Sequence, residues 1–370
     1  MDRRFVPIPP EAEQALPPAR SAAGAALRAA LRRFPIWPVI AFLRGKRVPQ
    51  HRATAWYAMG GLALVFLAIQ IATGILLMVY YRPSQPWASV QRIVNEVPYG
   101  AFIRSVHHWS ANLMALTVFA HMFSTFFMKA YRPPRELTWL TGCALLGMTL
   151  LFAFSGYLLP WDDLSFFATR VSLTEIEKGP WLGPWLADLV RGGPDVTIDT
   201  IGRFYVLHVT VLPLAVLAII GAHLLCIQLQ GVSEPDRFAA LPEREKKYRA
   251  FFGDFMIAEI PIWLAASALV VALAASAPRG LAPEADPFAA APAGIKPEWY
   301  FLAPYQMLKL FPGHLELIGL GLMNGAMLGA LAVPFIDRSV PAGARGRIMT
   351  ALGAAGLAGF VVLTVWGRLS

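Results

Sequence analysis

Seven stretches of the chain lack Asp, Glu, Lys and Arg and are long enough to cross a hydrocarbon core of about 30 Å, which takes roughly 20 helical residues. They are Ala53–Tyr81, Ser105–Met128, Leu137–Trp161, Phe204–Ser233, Ile260–Pro278, Leu317–Ile336 and Ile348–Gly367, the first to seventh spans. The connection between the second and third spans is tight. Those after the third and fifth run to about 40 residues each and are rich in Trp, Phe, Tyr and Pro, which predicts a site on that face. The pattern predicts an all-α integral membrane protein with seven transmembrane helices. Its expected parts are an N-terminal arm (1–52), a four-helix bundle (53–233), a linker (234–254) and a three-helix C-terminal part (255–370).

Composition excludes a water-soluble globule: 56% of the 370 residues are hydrophobic, 15% are charged and the mean hydropathy is +0.52. The formal net charge of +9 comes without Lys/Arg-rich blocks or a nucleic-acid motif, so no nucleic-acid partner is expected. Topology accounts for it. The arm and the loops on its side carry 21 of the 32 Lys and Arg, against 11 on the other side. The positive-inside rule then places the N-terminus in the cytoplasm and the C-terminus on the other side of the membrane. Within the arm, the Ala22–Leu31 run is broken by Arg28 and followed by Arg32 and Arg33, which predicts an amphipathic helix lying on the lipid surface instead of a cleavable signal. The two cysteines, Cys143 and Cys226, sit in no Cys-x-x-Cys setting, so a disulfide framework, structural zinc and a c-type haem are not expected.

Ionisable side chains inside a membrane are costly, so each is a functional-site candidate. His107 and His121 lie in the second span, His208 and His223 in the fourth. A spacing of fourteen residues is about 21 Å of rise and about −40° of rotation, so His107 and His121 share a face at two depths. The fifteen-residue spacing of His208 and His223 is about 22.5 Å and roughly +60°, and Pro213 between them can distort the helix and restore alignment. Both spans run in the same direction. His107 is therefore level with His208 near the outer face, and His121 with His223 near the inner face, two bis-histidine sites each suited to an iron porphyrin. His108, about −140° from His121, points away and is rejected as a ligand. A lone helical histidine bonding a neighbour is the commoner case, but it does not explain two level pairs.

Gly60 and Gly74 in the first span, and Gly142 and Gly156 in the third, repeat the fourteen-residue interval. A missing side chain lets a flat macrocycle approach the backbone, although small-residue helix packing also uses glycine. Arg104, one turn before His107, is placed either to pair with a haem propionate or simply to flank a span end.

The segments His107-His108-Trp109-Ser110-Ala111-Asn112 through His121, Arg132–Trp139 (RPPRELTW), Gly156–Trp161 (GYLLPW), Arg203-Phe204-Tyr205 and Pro297-Glu298-Trp299-Tyr300 (PEWY) together resemble cytochrome b of the quinol:cytochrome c oxidoreductases, from about Val48 onward. The fifteen-residue spacing, the RPPRELTW segment and the end after a seventh helix are similar to the chloroplast type. That type is normally split into four-helix and three-helix chains, and Gln230–Asp254 would join them here in a fused bacterial form. Ala58 stands where that type has a cysteine tethering an extra haem, so no covalent haem is expected. Gln228 stands where relatives place histidine or arginine.

The resemblance implies two non-covalent b-type haems with His107, His208, His121 and His223 as iron ligands, quinol oxidation at the outer face, and electron bifurcation. One electron goes to a Rieske iron–sulfur protein and then a c-type cytochrome, the other through the haems to a quinone at the inner face, coupled to proton translocation in a homodimeric complex. Quinol oxidation needs a base in an apolar pocket. Glu298 is the candidate base, with Pro297, Trp299, Tyr300, Phe301, Leu302 and Tyr305 on one wall and Tyr157, Phe166 and Phe167 on the other. Gln228 and Asp254 are inner-site candidates, although helix capping would also explain Asp254. Glu259 has no assigned role. A non-bifurcating diheme cytochrome b serving a dehydrogenase explains the histidines but not the last three spans or PEWY. A proton-relay transporter predicts inverted repeats, which are not seen, and a structural scaffold leaves the histidine pairs unexplained.

Overall fold

The computed structural model describes residues 45–292, 294–338 and 344–370, together with Ala22, Ala25, Ala26 and Ala29, which are helical. The amphipathic surface helix expected in the arm otherwise falls outside the described residues. Among the described residues, seven helices are long and apolar enough to cross a membrane: Thr54–Met78, Gly100–Phe127, Glu136–Leu158, Ile198–Gln230, Phe251–Ser276, Gly313–Ile336 and Gly346–Leu369. Several begin earlier than the charge-free stretches. Helical hydrogen bonding continues through Arg104, Arg203 and Glu259, whose polar ends need not stop a helix near a membrane boundary.

A single 3-10 turn, Thr54–Tyr57, leads into α1 (Ala58–Met78). The second and third spans are α3 (Gly100–Phe127) and α4 (Glu136–Leu158). Between α1 and α3 lies α2 (Pro86–Asn95), which opens on a proline at a position whose N–H has no helical partner. The long connection after α4, expected as loop, holds two surface helices, α5 (Asp163–Glu177) and α6 (Gly183–Arg191). The α5 start is fixed by a capping box: Asp162 accepts from the Ser165 N–H, and Ser165 Oγ accepts from the Asp162 N–H. Its aromatics then form a core with the fourth span, in which Leu158, Phe166, Leu173, Ile201 and Phe204 are almost wholly buried. This buried core, invisible to a search for membrane spans, turns the aromatic loop into a folded cap.

The fourth span is α7 (Ile198–Val206), a wide π turn at Leu207–Val211, and α8 (Leu212–Gln230), with Pro213 at the start of α8. A short helix, α9 (Asp236–Ala239), follows. Two three-residue strands, β1 (Arg47–Pro49) and β2 (Tyr248–Ala250), pair antiparallel with Val48 opposite Arg249, an element not anticipated in an all-α chain. A kinked, non-helical turn at Phe251–Phe255, with Gly253 at positive φ, opens the fifth span and runs into α10 (Met256–Ser276). The PEWY segment opens α11 (Trp299–Lys309), and α12 (Glu316–Ile336) and α13 (Ala344–Leu369) complete the chain.

Helix α1 packs on α3 and α4 on α8, forming the four-helix unit. Helix α10 lies against α3 and α1, α12 against α4, and α13 against α11 and α3. Large apolar side chains such as Ile75, Leu116, Leu214, Leu264, Leu328 and Val362 face outward, as expected for surfaces solvated by lipid. At the arm-side face Arg132 reaches both Asp236, at 2.9 Å, and the fully buried Asp337, at 3.1 Å, so one guanidinium ties the linker and the end of the sixth span to the bundle.

Candidate functional site

The four span histidines meet in two levels. The ring centres of His107 and His208 are 6.4 Å apart, with an interplanar angle of 72°. Two metal–imidazole bonds of about 2 Å each, plus half a ring at each end, span such a gap. His121 and His223 are electrostatic neighbours at the other level.

Each glycine stands against one histidine. A Cβ on Gly74 would lie 3.5 Å from His107 Cε1, and one on Gly156 2.6 Å from His208 Cε1; for Gly60 and His121, and for Gly142 and His223, the distance is 3.4 Å. So Gly74 and Gly156 flank one pair, and Gly60 and Gly142 the other. The neighbour at every position is an imidazole, not the backbone of another helix, unlike ordinary small-residue packing.

The π turn accounts for the unequal spacings. A π turn takes one residue more than an α turn, so fifteen residues through Leu207–Val211 advance as about fourteen, and His208 and His223 share a face as His107 and His121 do.

Hydroxyl groups fix the rings. Thr73 Oγ1, Thr141 Oγ1 and Ser155 Oγ lie 2.8, 2.9 and 3.0 Å from Nδ1 of His107, His223 and His208. Each hydroxyl proton is already donated to a backbone carbonyl of its own helix. The oxygen therefore accepts the Nδ1 proton, which leaves Nε2 as the free lone pair, the tautomer a metal requires. His121 Nδ1 is buried without a partner. Sequence reasoning passed over these hydroxyls, although Thr73, Thr141 and Ser155 each precede a singled-out glycine by one residue. Among the described residues no cluster of three or more His, Cys, Asp or Glu could hold a metal ion. Paired imidazoles with glycine-walled flanks suit a planar macrocycle that brings its own equatorial ligands.

At the outer end, Glu298 immediately precedes α11 and its carboxylate lies 3.6 Å from the Arg279 guanidinium, a partner sequence reasoning did not identify. Tyr300 is buried, and burial followed by the charge of Glu298 holds its hydroxyl well above its ordinary pKa. The Tyr157 hydroxyl is buried without a hydrogen-bond partner. Trp299 Nε1 donates to Asn112 Oδ1 at 2.9 Å, and Pro297 leads the chain into this turn. Phe166 and Phe167 pack inside the α5 core, at 2% and 3% exposure, and so serve the cap more than an open pocket wall. Arg104 Nη1 donates to the carbonyls of Arg279 at 2.7 Å and Gly280 at 3.1 Å, anchoring the loop before PEWY. His108 lies beside Asn112 and Trp109 and meets no histidine of the facing helix.

At the opposite face the Gln228 carbonyl accepts from Lys46, while its Oε1 is buried and unpartnered. Asp254, on the kinked turn before α10, lines a cavity of about 460 Å³ with Gln50, Tyr248 and Arg249. Glu259 is 6% exposed, where α10 meets Gly61 of α1.

Residues 43–231 match the family model described as cytochrome b/b6/petB, and residues 284–370 the model for its C-terminal part, cytochrome b(C-terminal)/b6/petD. The chain belongs to the cytochrome b/b6 family. It is 44% identical over 334 residues to a cytochrome bc complex cytochrome b subunit of Chlorobaculum thiosulfatiphilum, covering 88% of this chain and 77% of the relative. It is 40% identical over 191 residues, 50% of this chain and 85% of the relative, to the menaquinol:cytochrome c reductase cytochrome b subunit of Geobacillus thermodenitrificans. A solved hyperthermophilic respiratory Complex III chain superposes with a TM-score of 0.79 at 29% identity, covering 94% of this chain and 91% of that one. This cytochrome b thus joins on one polypeptide the b6-like and petD-like parts, and is the membrane subunit of a bc-type quinol:cytochrome c oxidoreductase.

Proposed function

We propose that this cytochrome b oxidises quinol beside Glu298 and sends its two electrons along different paths, one to a Rieske-type iron–sulfur protein serving a c-type cytochrome and the other across the membrane to a quinone at the arm-side face. The observation that carries this reading is the stacking of two histidine pairs beneath a half-buried, carboxylate-bearing outer site. Two non-covalent b haems, one held by His107 and His208 and the other by His121 and His223, would supply one-electron carriers at two depths. The chain's own residues do the rest. Gly60, Gly74, Gly142 and Gly156 leave room at the flanks of the rings, and Thr73, Thr141 and Ser155 hold three of the imidazoles in the ligating tautomer.

Losing two electrons obliges a quinol to lose two protons. Glu298, held by Arg279, is the acceptor of one of them, the other leaving with the electron that goes to the iron–sulfur protein, and the unpartnered Tyr157 hydroxyl is available to bond a quinol oxygen. Tyr300, kept protonated by burial, remains a donor throughout. Trp299, tied to Asn112, fixes the start of α11 and so the place of Glu298. At the other face Gln228 and Asp254 are the groups we assign to the quinone being reduced. The scheme releases protons outside and takes them up inside, with the N-terminus in the cytoplasm of a bacterium and the complex a homodimer.

The test is oxidant-induced reduction. In native membranes given quinol and blocked at the inner quinone site, addition of an oxidant increases haem b reduction, and Glu298→Gln abolishes the increase. Plain oxidation of haem b would indicate instead a linear conduit between quinone and a dehydrogenase.

A further inference from the structure

The hydroxyls that take the Nδ1 protons of His107, His223 and His208 stand at equivalent places. Thr73, Thr141 and Ser155 each come one residue before the glycine that faces the same ring, Gly74, Gly142 and Gly156. The same three rings also meet a main-chain carbonyl three residues before the hydroxyl, that of Gln70, Thr138 and Phe152 respectively. One helical turn thus presents a carbonyl, a hydroxyl and a bare glycine to one imidazole.

The fourth position breaks the pattern. Gly60 faces His121, but the residue before it is Met59, whose thioether is at best a weak acceptor. Three residues before Met59 stands Trp56, inside the 3-10 turn Thr54–Tyr57, and its carbonyl and that of Ala55 are taken by the Ala58 N–H. The turn that serves the other rings is therefore not built at His121. Its Nδ1 is buried and has no hydrogen-bond partner among the described residues. Both ligands of the outer pair give their Nδ1 protons to oxygen, and in the inner pair only His223 does. A buried donor left unsatisfied is costly and calls for a reason.

We propose that Met59 tunes the inner site: by leaving His121 without an oxygen acceptor it makes the inner haem the stronger electron acceptor of the two and so drives transfer inward. The proposal rests on the assignment of both histidine pairs as haem ligands. Donation of Nδ1–H to an oxygen pushes an imidazole toward imidazolate, a more basic ligand that favours ferric over ferrous iron. The outer iron would have two such ligands and the inner iron one. A change of about tenfold in the ferric preference, the low end for partners of this kind, moves a one-electron potential by about 59 mV.

The test is a potentiometric titration of haem b absorbance in the intact complex. The wild type is expected to show two one-electron components. Met59→Thr supplies the missing hydroxyl and lowers the higher component by about 59 mV, a tenfold change, without moving the lower one. Thr141→Val takes the acceptor from His223 and raises the higher component, and Thr73→Val raises the lower one. These two variants keep the proposal open to refutation if Met59→Thr does not fold. Haem content per chain stays as in the wild type, which separates tuning from lost packing. Two components unmoved by Met59→Thr would overturn the proposal and leave the haem assignment standing, as would Thr141→Val acting on the lower component. A complex without two b components would overturn both.

Discussion

Trp299 and Asn112, 187 residues apart, meet in a 2.9 Å hydrogen bond from the indole N–H to the amide oxygen. The bond joins the opening turn of α11 to the middle of α3, one helical turn past His108, so the quinol-site segment is referenced to the histidine-bearing bundle. Asn112 lies among the residues that carry the family resemblance, yet only the structure shows what it touches.

Asn112→Leu leaves the indole donor unpaired, at a cost of about 1 kcal/mol or more. Expressed at the quinol site, that lowers turnover about tenfold. Steady-state quinol oxidation should fall by this factor while the haem b difference spectrum stays unchanged. Unaltered turnover would separate Trp299 from the positioning of Glu298.

The four glycines are not equivalent. A methyl group on Gly156 would sit 2.6 Å from His208 Cε1, whereas at Gly74, Gly60 and Gly142 it meets ordinary van der Waals distances. Gly156→Ala should perturb the His107–His208 site by an overpacking cost of about 1–3 kcal/mol, seen as loss or broadening of one haem b component. Gly74→Ala should keep both. Equal effects at all four positions would contradict the geometry.

The wide turn at Leu207–Val211 makes a length prediction. Removing Thr210 converts it to a regular α turn and leaves fourteen residues between the histidines, about the −40° offset of α3. Two b haems per chain should therefore survive the deletion, counted by pyridine haemochrome. Deleting one residue from the regular helix between His107 and His121, at Thr117, should lose one of them.

Arg132 and Asp337 hold the end of α12 to the bundle, with Asp337 fully buried. Breaking a buried pair typically costs about 3–5 kcal/mol because the remaining charge is unmatched. Arg132→Met should lower the melting temperature of the complex markedly, and Arg132→Met with Asp337→Leu should recover part of the loss. A double variant less stable than the single would count against this pairing as the reason.

Tyr131 donates to the same carboxylate at 2.7 Å, and burial first, then Asp337, raise its pKa above the ordinary 10.0. A raised folded-state value means the stabilisation is complete below the unfolded pKa and is lost as pH climbs through the folded one. Thermal stability should thus decline above about pH 10, and Tyr131→Phe should flatten that alkaline limb.

The sequence by itself determined the membrane class, the seven spans, the two histidine levels and the candidate quinol-site carboxylate. Each of these is local or periodic: charge-free length, a rise of 1.5 Å per residue, and short runs such as Pro297–Tyr300. Tertiary structure decided what no single segment encodes. The π turn that equalises spacings of fourteen and fifteen lies against α4, a contact no segment announces by itself. The cap of α5 and α6 forms because Phe166, Leu173, Ile201 and Phe204 find one another across the fourth span. The arrangement of Arg279 on Glu298, Arg104 on the loop carbonyls, and Arg132 between two carboxylates unites residues about 20 to 200 positions apart. Electrostatic and hydrogen-bond partners are chosen by proximity in space, and composition and spacing carry no record of that proximity until the helices have packed.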